Sequence, residues 1–186
     1  MGPRNKLLLP MDGGTLVRRT AKELAKFPFQ ESVFVTGYEA DLVTPELISF
    51  DAILTHNARY KEGMSTSLKA GLRALTKPCD GVVIVHGDRP SFRIEVVQRL
   101  AQEFYKRRGP LILFPRWRGR RGHPTLVSRH FFDEILNEFE GDYDLGYLMR
   151  RSLNAVLPID VEDVGVTEDL DIPEDVPELS RCHLGT

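Results

Sequence analysis

The chain is predicted to fold as a three-layer α/β domain of Rossmann-like type with a mainly parallel sheet, and two observations carry that expectation. Short apolar runs alternate with helix-length amphipathic stretches through most of the 186 residues, the pattern of strands joined by crossover helices. The run Gly81-Val82-Val83-Ile84-Val85 is unbroken and stops at His86-Gly87-Asp88-Arg89-Pro90. A continuous apolar run reads as a strand covered on both faces, here expected at the centre of the sheet. Open α/β sheets bind ligands at the carboxyl edge of such strands. Asp88 is therefore expected at the mouth of a crevice, either as a Mg²⁺ ligand or as an acid that favours the start of the next helix.

The elements follow in order. Lys6 introduces a short apolar segment, Leu7 to Leu9, and Asp12-Gly13-Gly14 is a turn. Thr15 caps a helix whose Leu16, Val17, Ala21, Leu24 and Ala25 fall on one stripe. Ser32 to Thr36 reads as a strand, Pro45 interrupts the stretch before a short helix, and Ala52 to Thr55 is a further strand. Asn57 to Met64 is a polar loop, closed by Ser65 as the cap of a helix that turns Leu68, Leu72 and Leu75 inward. After the central strand, Ser91 is placed to cap a long helix carrying Ile94, Val97, Leu100, Ala101 and Phe104, which ends in Lys106-Arg107-Arg108-Gly109. Leu111 to Phe114 is a strand, Arg116 to Pro124 an arginine-rich loop, Thr125 to Val127 a short strand, and Arg129 to Phe139 a helix. Gly141 to Asp144 turns into a short helix and Ala155 to Val161 is a strand. Asp163 to Val166 is placed as one more strand, and Asp169 to Asp175 opens a last helix with Pro173 in its first turn.

Composition bounds the function classes. With 41% hydrophobic residues the chain fills one core and is short for two, so residues 1–186 read as one domain. A net charge of -2 supplies no basic field for nucleic acid. Cys79 and Cys182 lack both a disulfide framework and metal-ligand spacing, and no segment has the apolar length of a membrane span or signal peptide. A cytoplasmic protein is expected.

Three loops that follow strands hold unusual polar groups: Asn57 to Met64, Gly87 to Pro90, and Asp169 to Asp175. On one edge of a parallel sheet, Asp88 and either Asp169 or Asp171 are in position to share a cation. Mg²⁺ keeps an octahedral shell and takes few protein carboxylates beside substrate phosphates. Lys6 and the arginines at 116, 118, 120 and 121 then supply charge against phosphate oxygens, unless those arginines form an ordinary solvated loop. Phosphoryl or nucleotidyl chemistry is the expectation.

Met1-Gly2 with Lys6-Leu7-Leu8-Leu9-Pro10, then Asn57, Tyr60, Glu62-Gly63-Met64 and Ser67-Leu68, then Gly87-Asp88-Arg89-Pro90, Gly122-His123-Pro124 and Asp169 to Asp175 occur in this order along nearly the whole chain. The set resembles the MobA-like nucleotidyltransferases, and within them the molybdenum cofactor cytidylyltransferases. The resemblance implies transfer of a nucleoside monophosphate from an NTP, CTP by the closest likeness, to a molybdopterin-type cofactor with release of pyrophosphate. It implies Lys6 at the NTP phosphates, Asp88 and Asp171 at Mg²⁺, and Asn57 with Glu62, Gly63, Met64 and Ser65 at the nucleotide. Gly122, His123 and Pro124 are implied on the acceptor side, flanked by Arg118 and Arg121. A molybdenum hydroxylase or its accessory protein is the implied partner.

The glycine-rich segment and first strand that the resemblance places ahead of Met1 do not occur in the chain, and Arg89 stands where glutamine or methionine is usual. Met1 is accordingly expected to be an internal methionine of a longer protein. Two further readings stay open: a non-catalytic carrier of the cofactor, and a nucleotidyltransferase for another acceptor such as a sugar phosphate.

Overall fold

The computed structural model describes residues 5–168. After a 3-10 turn at Lys6–Leu8, a small antiparallel pair, β1 (Pro10–Met11) and β2 (Gly14–Thr15), leads into α1 (Leu16–Leu24). β3 (Val33–Thr36), α2 (Ala40–Leu47) and β4 (Ile53–His56) form a unit in which β3 and β4 pair in parallel as a separate two-stranded sheet, Val33 opposite Ile53. α3 (Met64–Ala74) crosses to β5 (Gly81–Ile84), and α4 (Ile94–Tyr105) leads to β6 (Ile112–Trp117). β7 (Arg120–Arg121), β8 (Thr125–Ser128), α5 (Phe132–Glu138), α6 (Leu145–Arg151) and β9 (Val156–Asp160) complete the order.

A five-stranded sheet runs β5-β8-β6-β7, with β9 on β6. Strand period two sorts its side chains onto opposite faces. Ile112 and Val127 join Ile135, Phe139 and Leu148 on the face covered by α5, α6 and α3, whereas their neighbours Leu113 and Leu126 join Leu100 of α4 on the other. Val82 and Ile84 likewise pack with the first group and Val83 with the second. Helices therefore cover both faces of the sheet, which is the expected three-layer sandwich.

Several sequence expectations are corrected. The sheet is mixed in its pairing: β6 and β9 are parallel, but β8 lies antiparallel between β5 and β6. Thr125 to Ser128 returns directly from the β6–β7 hairpin, and a short return can only be antiparallel. β5 is not central. It ends the five-stranded sheet, and all four of its residues are only half-buried. Pro45 sits inside α2 rather than ahead of it, and Val164–Thr167 is a 3-10 turn rather than a strand, because Asp163 folds back to accept from the Gly165 amide at 3.0 Å. Ser65 lies in the first turn of α3, whose N-cap is Gly63. Ser91 is not the cap of α4 either: the helix begins at Ile94, and remote carboxylates take its first amides, Asp163 from Arg93 at 3.0 Å and Glu23 from Ile94 at 2.8 Å. The helix expected from Asp169 lies outside the described residues.

Candidate functional site

The carboxyl end of β5 delivers Asp88 onto a short irregular turn. Leu7 packs over Gly87, where an added Cβ would meet its side chain at 3.3 Å, and the Thr20 hydroxyl donates to the Gly87 carbonyl at 3.1 Å. This packing carries the preceding residue, Lys6, over the turn, and its Nζ lies 2.5 Å from Asp88 Oδ2. Burial pushes the Asp88 carboxyl up, but the Lys6 hydrogen bond and charge, with His86 nearby, outweigh it and hold the group below its ordinary value. The other oxygen, Oδ1, is buried and accepts no hydrogen bond. A buried ionised oxygen without a partner is costly unless a cation takes it.

That oxygen suits Mg²⁺, which binds through one or two carboxylates and completes its shell with water and substrate phosphates. Among the described residues no group of three or more His, Cys, Asp or Glu is placed to cage a metal, so the donor set fits an ion that arrives with a polyphosphate. Asp171, the second expected ligand, lies outside the described residues.

Beside Asp88 opens a cavity of about 460 Å³ whose walls include His86, Arg89, Arg121, His123, Asp144 and Met64. Five separated segments build it: the turn after β5, the strand return from β7 to β8, the start of α3, the start of α6, and the 3-10 turn that ends at Thr167. The rings of His86 and His123 are 5.0 Å apart. Burial, then the charges of Arg89, His86 and Arg121, lower the His123 pKa to about 3 against a weak opposing pull from Asp88, so this imidazole is neutral at physiological pH. Loss of solvation lowers the Arg121 pKa as well, opposed by Asp144 and reinforced by Arg150 and Arg89. The cavity thus carries positive charge on rigid walls beside a carboxylate with one oxygen available. Such a place binds an anionic group and holds it near a cation.

The structure brings Lys6, Asp88, Met64, Arg121 and His123 to one edge and assigns other work to several residues. Asn57 is buried, its amide donating to the Thr66 and Ser67 hydroxyls at 2.8 and 3.0 Å and accepting from the Arg59 amide at 3.0 Å, so it braces the loop. Glu62 is exposed and holds Arg59 at 2.9 and 2.6 Å. Gly63 has φ +113, and a Cβ there would lie 2.2 Å from the Gly141 carbonyl carbon; Ser65 donates its amide to the Gly141 oxygen at 3.1 Å. These two residues dock the start of α3 against the Gly141 turn. Gly122 packs on Val166, with room for no Cβ, and Pro124 follows the cis His123–Pro124 bond as a buried residue.

Arg118 does not line this cavity. With Gly119 it forms the two-residue turn of the β6–β7 hairpin, both at positive φ, and its guanidinium lies over the Trp117 ring at 4.9 Å, away from the cavity. Turns of this kind need left-handed backbone at both positions, which is why glycine follows. Arg116 is held by Asp160 through two bonds of 2.7 and 2.9 Å. His86 and Asp144 were not expected at the site. The position of His86 at the end of the apolar run was the available signal for it, whereas Asp144, which also accepts the Tyr147 amide at the start of α6, is brought in only by tertiary packing.

The MobA-like NTP transferase domain family matches residues 1–157. Molybdenum cofactor cytidylyltransferase of Escherichia coli (strain K12) is 26% identical over 174 residues, covering 91% of this chain and 84% of that protein. Nicotine blue oxidoreductase of Paenarthrobacter nicotinovorans is 27% identical over 192 residues, covering 96% and 89%. Among solved structures, the homologue of Mycobacterium tuberculosis Rv0371c from Mycobacterium sp. strain JC1 superposes with a TM-score of 0.79 at 29% identity, covering 96% of this chain and 88% of the other.

Proposed function

The chain belongs to the MobA-like NTP transferase domain family, and from that premise we propose that it is a cytoplasmic cytidylyltransferase for a molybdopterin-type molybdenum cofactor. A phosphate oxygen of the acceptor attacks the α-phosphorus of CTP, the bond to the β-phosphate oxygen breaks, and pyrophosphate leaves. Asp88 Oδ1 is the atom that would hold Mg²⁺, and the ion would neutralise charge on the triphosphate oxygens. Lys6 orients the Asp88 carboxylate and presents its own ammonium to the phosphates. Arg89 and Arg121 bind the acceptor phosphate, while neutral His123 fills the wall between them without adding charge. Transfer of this kind asks for positioning and charge stabilisation more than for covalent help, and these side chains supply both.

The observation that carries the reading is the single unpartnered oxygen of Asp88 beside a cavity walled by Arg89, Arg121 and His123. Its test is release of pyrophosphate from each NTP in the presence of molybdopterin-type cofactor, with and without Mg²⁺. The expected result is Mg²⁺-dependent release that is fastest with CTP and leaves the CMP moiety on the cofactor. Tight cofactor binding without pyrophosphate release identifies a carrier, and release only with a sugar phosphate identifies a different acceptor; either outcome overturns the proposal. The product is of a kind that a molybdenum hydroxylase or its accessory protein would receive.

A further inference from the structure

We propose that Asp144 is a positioning residue: its carboxylate holds the Arg121 guanidinium on the wall of the cavity, and Gly146, by having no side chain, leaves the space in which the two groups approach. The consequence for binding rests on the reading of Arg121 as a ligand of the acceptor phosphate. Arg121 stands on the two-residue strand β7, both of whose residues are exposed. A long side chain at such a place turns to water unless something holds it. Loss of solvation disfavours the Arg121 charge, and Arg150 and Arg89 add to this as like charges; the Asp144 carboxylate is the group that opposes them. The Phe114 ring, 5.7 Å from the guanidinium, covers one of its faces but carries no net charge.

The carboxylate is fixed independently of the arginine. Asp144 Oδ1 accepts the Tyr147 amide at 2.9 Å as the cap of α6, and the Asp144 main-chain carbonyl accepts the same amide at 3.1 Å. A Cβ built on Gly146 would stand 3.1 and 3.2 Å from the two carboxylate oxygens and 3.3 Å from Arg121 Nη1. Carboxylate and guanidinium thus converge on one bare position, and a methyl group there would crowd both. Gly146 is a buried residue inside α6, with no left-handed backbone to require glycine. Glycine weakens a helix relative to alanine, so its use here is explained by the space it leaves.

Both Asp144 and Arg121 line the cavity together with Arg89. One acid among these cations does not cancel their charge, so the cavity keeps its attraction for an anion while Arg121 keeps its direction. An arginine already turned inward loses less freedom when it binds, which raises affinity without a new contact. The cap and the positioning role are separable, because asparagine caps a helix about as well as aspartate and carries no charge.

The experiment follows solvent exchange of the Arg121 Nε proton by NMR in the unliganded chain, the signal being assigned by its loss in Arg121→Ala, and titrates inorganic phosphate as the probe of the cavity. Asp144→Asn is expected to speed that exchange about tenfold and to weaken phosphate about 3- to 10-fold, with melting unchanged within a few degrees. Gly146→Ala should shift both readouts in the same direction while melting holds or rises. Asp142→Asn, which removes a neighbouring exposed acid, should change neither. In an Arg121→Ala background, Asp144→Asn should weaken phosphate no further. Unchanged Arg121 exchange in Asp144→Asn overturns the proposal. Tighter phosphate binding also overturns it, since the carboxylate would then oppose the anion, and so does a further loss in the Arg121→Ala background, which would mean that Asp144 acts by another route. If the wild-type chain takes up no phosphate, the acceptor reading of the cavity fails, and the exchange measurement still decides what holds Arg121.

Discussion

Lys6 Nζ and Asp88 Oδ2 stand 2.5 Å apart across eighty-two positions of sequence, and the pairing leaves the second Asp88 oxygen buried with no hydrogen-bond partner. One carboxylate is thereby divided between two tasks. The lysine keeps it ionised, and the remaining oxygen is available to a cation.

Asp88→Asn replaces the acid with a near-isosteric amide, so it removes the charge while leaving the packing around Gly87 in place. Nucleotidyl transfer is expected to fall by about 10³-fold or more, the scale on which removal of a preorganised charge acts, with melting unchanged within a few degrees. Pyrophosphate release together with a circular-dichroism melt decides it, and wild-type turnover in the variant would remove Asp88 from the site.

Arg121 lies on a strand of the β6–β7 hairpin and Arg118 in its turn, and only the first lines the cavity. Arg121→Ala is expected to weaken acceptor binding about 10- to 100-fold, the loss of one charged hydrogen bond of ~1.5–3 kcal/mol, with a smaller effect on CTP. Arg118→Ala should leave both affinities unchanged. Titration calorimetry with each ligand separates the two variants, and a larger loss for Arg118→Ala would place the acceptor on the other side of the hairpin.

Gly63→Ala combines a left-handed backbone with a clash at 2.2 Å against the Gly141 backbone. A non-glycine residue held in such a conformation costs ~1–3 kcal/mol before any clash is counted, so a loss of about 3 kcal/mol or more is expected in urea unfolding. A change under about 0.5 kcal/mol would show that the two turns are not packed together in solution.

His123 has a pKa of about 3 in the folded protein against 6.5 for an unperturbed histidine. Between those values the unfolded chain binds a proton that the folded one refuses, so stability rises with pH and is lost as pH falls below 6.5. From pH 6.5 to 5 one such group contributes at most ~2 kcal/mol at 1.36 kcal/mol per unit. Glu103, held at about 2 by Lys106 and Arg107 with burial opposing, acts in the same sense but only below 4.5. Denaturant unfolding at pH 6.5 and 5 therefore isolates the histidine. His123→Asn should flatten the dependence, and an unchanged slope would mean that the imidazole takes up its proton in the folded state.

Much of the architecture was legible in the chain itself, because strand and helix periodicity report burial directly. The apolar run ending in Gly87-Asp88 marked the strand whose end bears the site, and the leucines at 68 and 72 marked the half-buried stripe by which α3 packs on the core. The stretch from Arg116 to Pro124 was legible as an arginine-rich loop, although not that a hairpin turn at Arg118 and Gly119 divides it. Helix starts were misjudged at Ser65 and Ser91 because their amides are satisfied from elsewhere: Gly141 contributes a carbonyl to one, and Glu23 and Asp163 contribute carboxylates to the other. No pattern within a short window encodes a partner some seventy residues away. The meeting of Lys6 with Asp88, the joining of Arg89, Arg121, His123 and Asp144 in one cavity, and the separation of β3 from β5 were decided by tertiary structure alone. Each depends on which strand lies beside which, and strand order is set by long-range packing that local periodicity does not contain.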